Sequence, residues 1–201
     1  MCMVPTATTI DCVVAGGSGY IIAGFIKKGV GMRPAFVRAF QACVATAVLC
    51  VALPATALQP ATGKVILTVS GNVAEKNTPT AAVFDLAMLE KLPQRTFTTM
   101  TPWDKQPIKF TGPLLRDVLA AAKASGTTIK AAALNDYQST IPLEDAQKFD
   151  VILAHKMNDA DIPVKTKGPL FIVYPYDTKA ELRSATYYER SAWQLKSLTI
   201  E

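Results

Sequence analysis

From Lys64 to the end, the apolar residues fall into many short segments, most of them of strand type, and this limits the fold more than any other feature of the chain. Lys64–Asn72 alternates around Val65, Leu67 and Val69, the pattern of a half-buried strand. Gln94–Met100 is rich in Thr and Phe, which suit a pleated surface, and Pro102 stops it because proline has no N–H for a ladder. Thr127–Leu134, Gln138–Ile141, Val151–Lys156, the run ending at Tyr174 and the alternating Trp193–Ile200 read as further strands. Helices are few. One starts at Phe84–Leu89, with Asp85 capping free backbone N–H groups and Phe84 placed to meet Leu89, and Pro93 ends it. A second spans Pro113–Ala124. Its missing N–H costs nothing at the first position, and its apolar face is Leu114, Leu115, Val118, Leu119 and Ala122. Gly126 closes this helix, and Pro142–Lys148 forms a third. Many strands, a few short helices and no repeat make an α+β domain with a mixed β-sheet and no internal boundary.

Cysteine usage says how such a domain must be held together. All four cysteines precede Leu58, so the remainder has no disulfide, no thiolate ligand and no cysteine nucleophile, and stands on its apolar core. The front end reads as a targeting segment. Met32–Arg38 is a basic start, a mostly apolar run follows to Leu53, and Ala55-Thr56-Ala57 is a small-residue exit. The apolar run is short of the ~20 residues that a membrane span needs. Residues 32–57 are therefore expected to be a secretory signal peptide cleaved near Ala57, leaving an exported domain at 58–201, periplasmic in a Gram-negative host. Residues 1–31 are an uncertain leader: either upstream of a true start at Met32 or an extra apolar segment. Gly16–Gly24 lacks the strand–turn–helix setting of a nucleotide loop.

Several chemistries find no support. The formal net charge is +5, of which the residues from Leu58 onward carry only +2, and no Lys/Arg stripe forms, so a nucleic-acid partner is not expected. From Leu58 onward, one histidine, His155, and no cysteine cannot make a zinc site, and His155 lies in an apolar strand as a structural residue. There is no Gly-x-Ser-x-Gly elbow for a hydrolase. The acidic residues of Met157–Asp161 fit a turn better than a calcium loop. Trp103, at a strand exit beside Asp104 and Lys105, is either a core lid or a ligand platform.

The order of segments carries a resemblance. Leu67–Gly71, Phe84–Pro93, Trp103 with Pro107–Leu119, Asp136-Tyr137, Val151–Met157, Lys167–Leu170 and the strand from Trp193 together resemble the molybdopterin-binding domain of sulfite-oxidase-type oxidoreductases. That implies a sulfite-oxidase-like molybdopterin-binding fold and a pterin or molybdopterin ligand. In the family a cysteine four residues before the corresponding Trp binds molybdenum through its thiolate; here Thr99 stands there. A neutral alcohol replaces a thiolate poorly, which argues against oxygen-atom transfer. The chain is similar to short, secreted relatives that lack the cysteine, bind a pterin and signal to a membrane enzyme. The alternatives are a molybdenum-cofactor oxidoreductase with a replaced ligand, and a pocketless scaffold for a protein partner. A pterin has a flat ring, an N–H edge and, in molybdopterin, a phosphate. The resemblance places Thr99 in the pocket. The ring calls for an aromatic platform, Trp103 first and then Tyr137 or Tyr176. The N–H edge calls for a carboxylate, with Asp136 and Asp177 as candidates, and Arg183 and Arg190 are candidates to hold an oxygen-rich tail or a phosphate.

Overall fold

The structure, a computed structural model, describes residues 58–201. The expectations of a leader and a signal peptide fall on residues 1–57, outside the described residues. In chain order the elements are β1 (Val65–Gly71), β2 (Ala82–Asp85), α1 (Leu86–Lys91), β3 (Gln94–Thr99), β4 (Ile108–Pro113) and α2 (Leu115–Ala121). Then come β5 (Thr128–Ala133), β6 (Gln138–Pro142), α3 (Leu143–Lys148), β7 (Ile152–Ala154), β8 (Lys156–Met157) and β9 (Ala160–Asp161). β10 (Phe171–Val173), a 3-10 turn at Ala180–Leu182, α4 (Ala185–Arg190) and β11 (Leu195–Ile200) complete the domain.

A five-stranded mixed sheet runs β2-β1-β11-β5-β6. β1 and β11 pair in parallel, Thr68 opposite Ser197, which joins the two ends of the domain; the other pairings are antiparallel. The period-two reading holds: Leu67 and Val69 of β1, Ile129, Ala131 and Ala133 of β5, and Leu198 and Ile200 of β11 are buried on one core. A second antiparallel sheet runs β3-β4-β8-β9, and β7 pairs with β10. Asp85 caps α1 as expected, accepting from the Met88 N–H at 2.8 Å. Its other oxygen takes the Thr62 and Gly63 N–H groups and so also ties down the incoming chain. Phe84 and Leu89 lie in the same core.

Two expectations are corrected. The second helix begins at Leu115, not Pro113, which ends β4 opposite Gln94. The chain stays extended because it must reach β7: a Cβ on Gly112 would lie 2.0 Å from the Leu153 carbonyl oxygen, and the Leu115 N–H donates to Val151 O. The helix ends at Ala121, and Gly126 serves the turn into β5, where a Cβ would meet Glu201 O at 2.3 Å. The expected strand Val151–Lys156 also divides at His155, whose N–H donates to Thr111 O, leaving β7 and β8 on different partners.

Candidate functional site

β3 ends at Thr99, the position that the resemblance equates with a metal ligand, and there the side chain is closed in. Thr99 is fully buried. Its hydroxyl donates to Asp177 Oδ2 at 3.2 Å and accepts the Asp177 N–H at 3.2 Å. The same Asp177 oxygen accepts the Met100 N–H at 2.7 Å, and Oδ1 accepts from the Arg183 guanidinium at 2.9 Å. The Met100 N–H above all, with Thr99 and Arg183, holds the Asp177 carboxyl below its ordinary value against the opposing pull of partial burial. The structure thus gathers Thr99, Asp177 and Arg183 into one cluster whose acceptors are already engaged.

The loop after β3 then carries Trp103 to a different place. Thr101 Oγ1 donates to Asp104 Oδ2 at 2.6 Å, and Lys167 Nζ donates to the same oxygen at 2.7 Å. Burial pulls Asp104 up, but the Lys167 and Thr101 hydrogen bonds outweigh it and keep the carboxyl low. So anchored, Trp103 meets Trp193 edge-on at 5.2 Å, Tyr188 at 6.0 Å and Phe171 at 5.9 Å, yet stays 37% exposed. The side chain is packed on one side against these rings and open on the other. Its open part walls a cleft of about 240 Å³ with Tyr137, Tyr188 and Trp193 as the other rings and Asn135, Glu189, Ser191 and Ala192 between them. The Tyr137 hydroxyl donates to Glu189 O at 2.7 Å, and burial first, then the Glu189 charge, pushes its pKa up. The Glu189 carboxylate makes no ion pair among the described residues.

The remaining candidates stand apart. Asp136 sits at a turn with φ of 64°, its side chain 91% exposed and paired with Lys196. Tyr176 is in the core, its hydroxyl 2.5 Å from Ser191 Oγ. It does not line the cleft itself but backs two residues that do, Ser191 through that contact and Tyr188, whose ring centre is 5.3 Å away. Arg190 donates to Asp145 Oδ2 at 2.8 Å, an oxygen that Tyr174 also bonds, and so pins α4 to α3. His155 is buried, with Nε2 on the Gln94 side-chain oxygen at 3.0 Å. Sequence reasoning missed Tyr188, Glu189 and Trp193. The Tyr187-Tyr188 doublet and Trp193 were the available signals.

The donor set tests the family's cofactor. A metal at position 99 would find a neutral hydroxyl already hydrogen-bonded on both sides, so a protein–molybdenum bond does not fit there. No group of three or more His, Cys, Asp or Glu that could hold a metal occurs among the described residues. The cleft at Trp103 suits a flat ring, but about 240 Å³ is below the ~300–1,000 Å³ of sites for larger ligands.

The family model for the oxidoreductase molybdopterin binding domain matches residues 56–180, more than half of the chain. The α+β architecture and mixed sheet agree with that fold. The matched span ends before α4 and β11, so Tyr188, Glu189 and Trp193 lie beyond it. No curated protein matches the chain.

Proposed function

This chain belongs to the oxidoreductase molybdopterin binding domain family, and on that premise we propose that it binds a pterin ring at Trp103 without oxygen-atom transfer at a protein-bound molybdenum. The observation that carries this reading is the closure of Thr99 by Asp177, which leaves no soft or free ligand at the family's metal position. Trp103, Tyr137, Tyr188 and Trp193 supply aromatic faces and edges for the ring. Glu189, rather than Asp136 or Asp177, is the acceptor for the N–H edge, because its carboxylate is uncommitted and borders the cleft. The cleft's volume favours a bare or short-tailed pterin over complete molybdopterin.

In this reading residues 32–57 export the domain, and a membrane signalling enzyme responds to its pterin-bound state. Family membership itself favours a second reading, a molybdenum-dependent oxidoreductase with a replaced ligand. Protein purified from a molybdate-replete host separates the two. We expect extractable pterin with far less than stoichiometric molybdenum. Stoichiometric molybdenum with reductase turnover would establish the second reading instead.

A further inference from the structure

Arg95 and Phe97 stand on the same face of β3 as Thr99, and there they border a second groove, of about 270 Å³, separate from the Trp103 cleft. Lys148, Phe149, Pro175, Thr178 and Lys179 form most of the rest. Its cations are loosely held. Lys148 and Lys179 stand 4.9 and 5.0 Å from the centre of the Phe149 ring, and both lean on one carboxylate, Glu181, at 3.8 and 4.0 Å. Arg95 reaches Asp150, the groove's own acidic residue, at 3.4 Å, while Arg116 holds that carboxylate more closely, at 2.9 Å. Four cations therefore share two carboxylates. By contrast Lys109, Lys123, Lys130 and Lys167 each close an ion pair at 2.7 Å.

We propose that this groove is a binding site for an organic phosphate. The phosphate sits between the Lys148 and Lys179 ammonium groups with Arg95 on its flank, and its organic part lies against Phe97 and Pro175. Long, exposed ion pairs contribute little, so displacing Glu181 is a small cost. An oxyanion that meets two ammonium groups and a guanidinium gains charge-assisted hydrogen bonds in their place. Asp150 opposes an anion, but Arg116 already neutralises it. A soluble phosphate ester and an anionic phospholipid headgroup present the same chemistry. Thr178 and Lys179 directly follow Asp177, so an occupant here also bears on the segment that closes Thr99.

The test uses the full chain and three probes: phenyl phosphate, inorganic phosphate, and phosphatidylglycerol vesicles set against phosphatidylcholine vesicles. Calorimetry should show phenyl phosphate binding more tightly than inorganic phosphate. K148Q/K179Q should weaken it by at least about tenfold, and K123Q/K130Q should leave it unchanged. In the unaltered chain, phenyl phosphate should move the amide signals of Phe149, Thr178 and Lys179, which keeps the test valid if the double variant folds poorly. Binding of the soluble ester alone identifies a small-molecule site, and binding of phosphatidylglycerol vesicles alone identifies a lipid headgroup site. Binding by none of the probes, equal binding in K148Q/K179Q with the fold intact, or shifts confined to the Trp103 cleft would overturn the proposal.

Discussion

Replacing Trp103 with alanine separates its two duties by size. A fully buried Trp truncated to Ala costs about 3–5 kcal/mol. Trp103 is 37% exposed, so roughly two-thirds of that loss applies, about 2–3 kcal/mol. The loss comes from its ring contacts with Trp193, Tyr188 and Phe171. Binding should suffer separately. Stacking is worth on the order of 1 kcal/mol beyond area burial, and the lost area adds to it, so affinity for a reduced pterin should fall by more than about tenfold. Trp103→Phe keeps a ring, so it should recover most of the stability and part of the binding. Urea melts and pterin titrations on the same samples read both quantities. A Trp103→Ala variant that loses about 2–3 kcal/mol yet binds pterin like the parent would refute the platform. A loss above about 5 kcal/mol would make Trp103 a core residue and refute the partial-burial argument.

Three further outcomes can be measured. Asp177 has a lowered folded pKa, so its contribution is present above the unfolded value near 4 and is lost as pH falls through the folded value. Asp177→Asn should cost about 1 kcal/mol at neutral pH, discounted for exposure, and should give a shallower acid limb in a pH-dependent melt. His155 is held low by burial first, so the unfolded chain takes up its proton more readily. Stability should fall as pH drops below about 6.5, and His155→Gln should flatten that slope in denaturant titrations across the range. The exported form should begin near Leu58 by intact mass, and a species retaining residues 32–57 would show an anchor instead.

Local structure was legible where the signal was local. Alternation marked β1, β5 and β11 because each has one face on the core. The parallel pairing of β1 with β11 was not legible, because it joins Thr68 to Ser197 and no short-range pattern encodes such a contact. Pro113 misled for a physical reason. The ring's fixed φ suits the first turn of a helix and the last residue of a strand alike. The approach of Gly112 to the Leu153 backbone decided between them. At the site, Trp103 was visible as a large aromatic at a strand exit. Thr99 and Asp177 were each visible, but not as partners, since they lie 78 positions apart. Tyr188 and Glu189 hid in a run that read as an approach to the last strand, and only the fold of α4 turns them toward Trp103.

The pairing of Thr99 with Asp177 says more than that a cysteine is missing. A neutral hydroxyl can do both things this position requires: donate to Asp177 Oδ2 and accept the Asp177 N–H. A thiolate can only accept, and it would face a carboxylate at hydrogen-bond distance. A second negative charge at the fully buried position 99, beside the Asp177 carboxylate, is disfavoured, so one proton stays. Asp177 is held ionised by Met100 and Arg183 as well as by Thr99, so the proton would remain on sulfur. Thr99→Cys should therefore give a buried, neutral thiol with its pKa raised above the ordinary ~8.5, slow to alkylate at pH 7 and unable to bind molybdenum. Adding Asp177→Asn removes the opposing charge and should speed alkylation at pH 7 by about tenfold or more, the effect of a pKa drop of about one unit. Alkylation rate against pH, with molybdenum content measured on both variants, tests this directly. If Thr99→Cys alone behaves as a thiolate at neutral pH, or takes up stoichiometric molybdenum, then Asp177 does not lock the position.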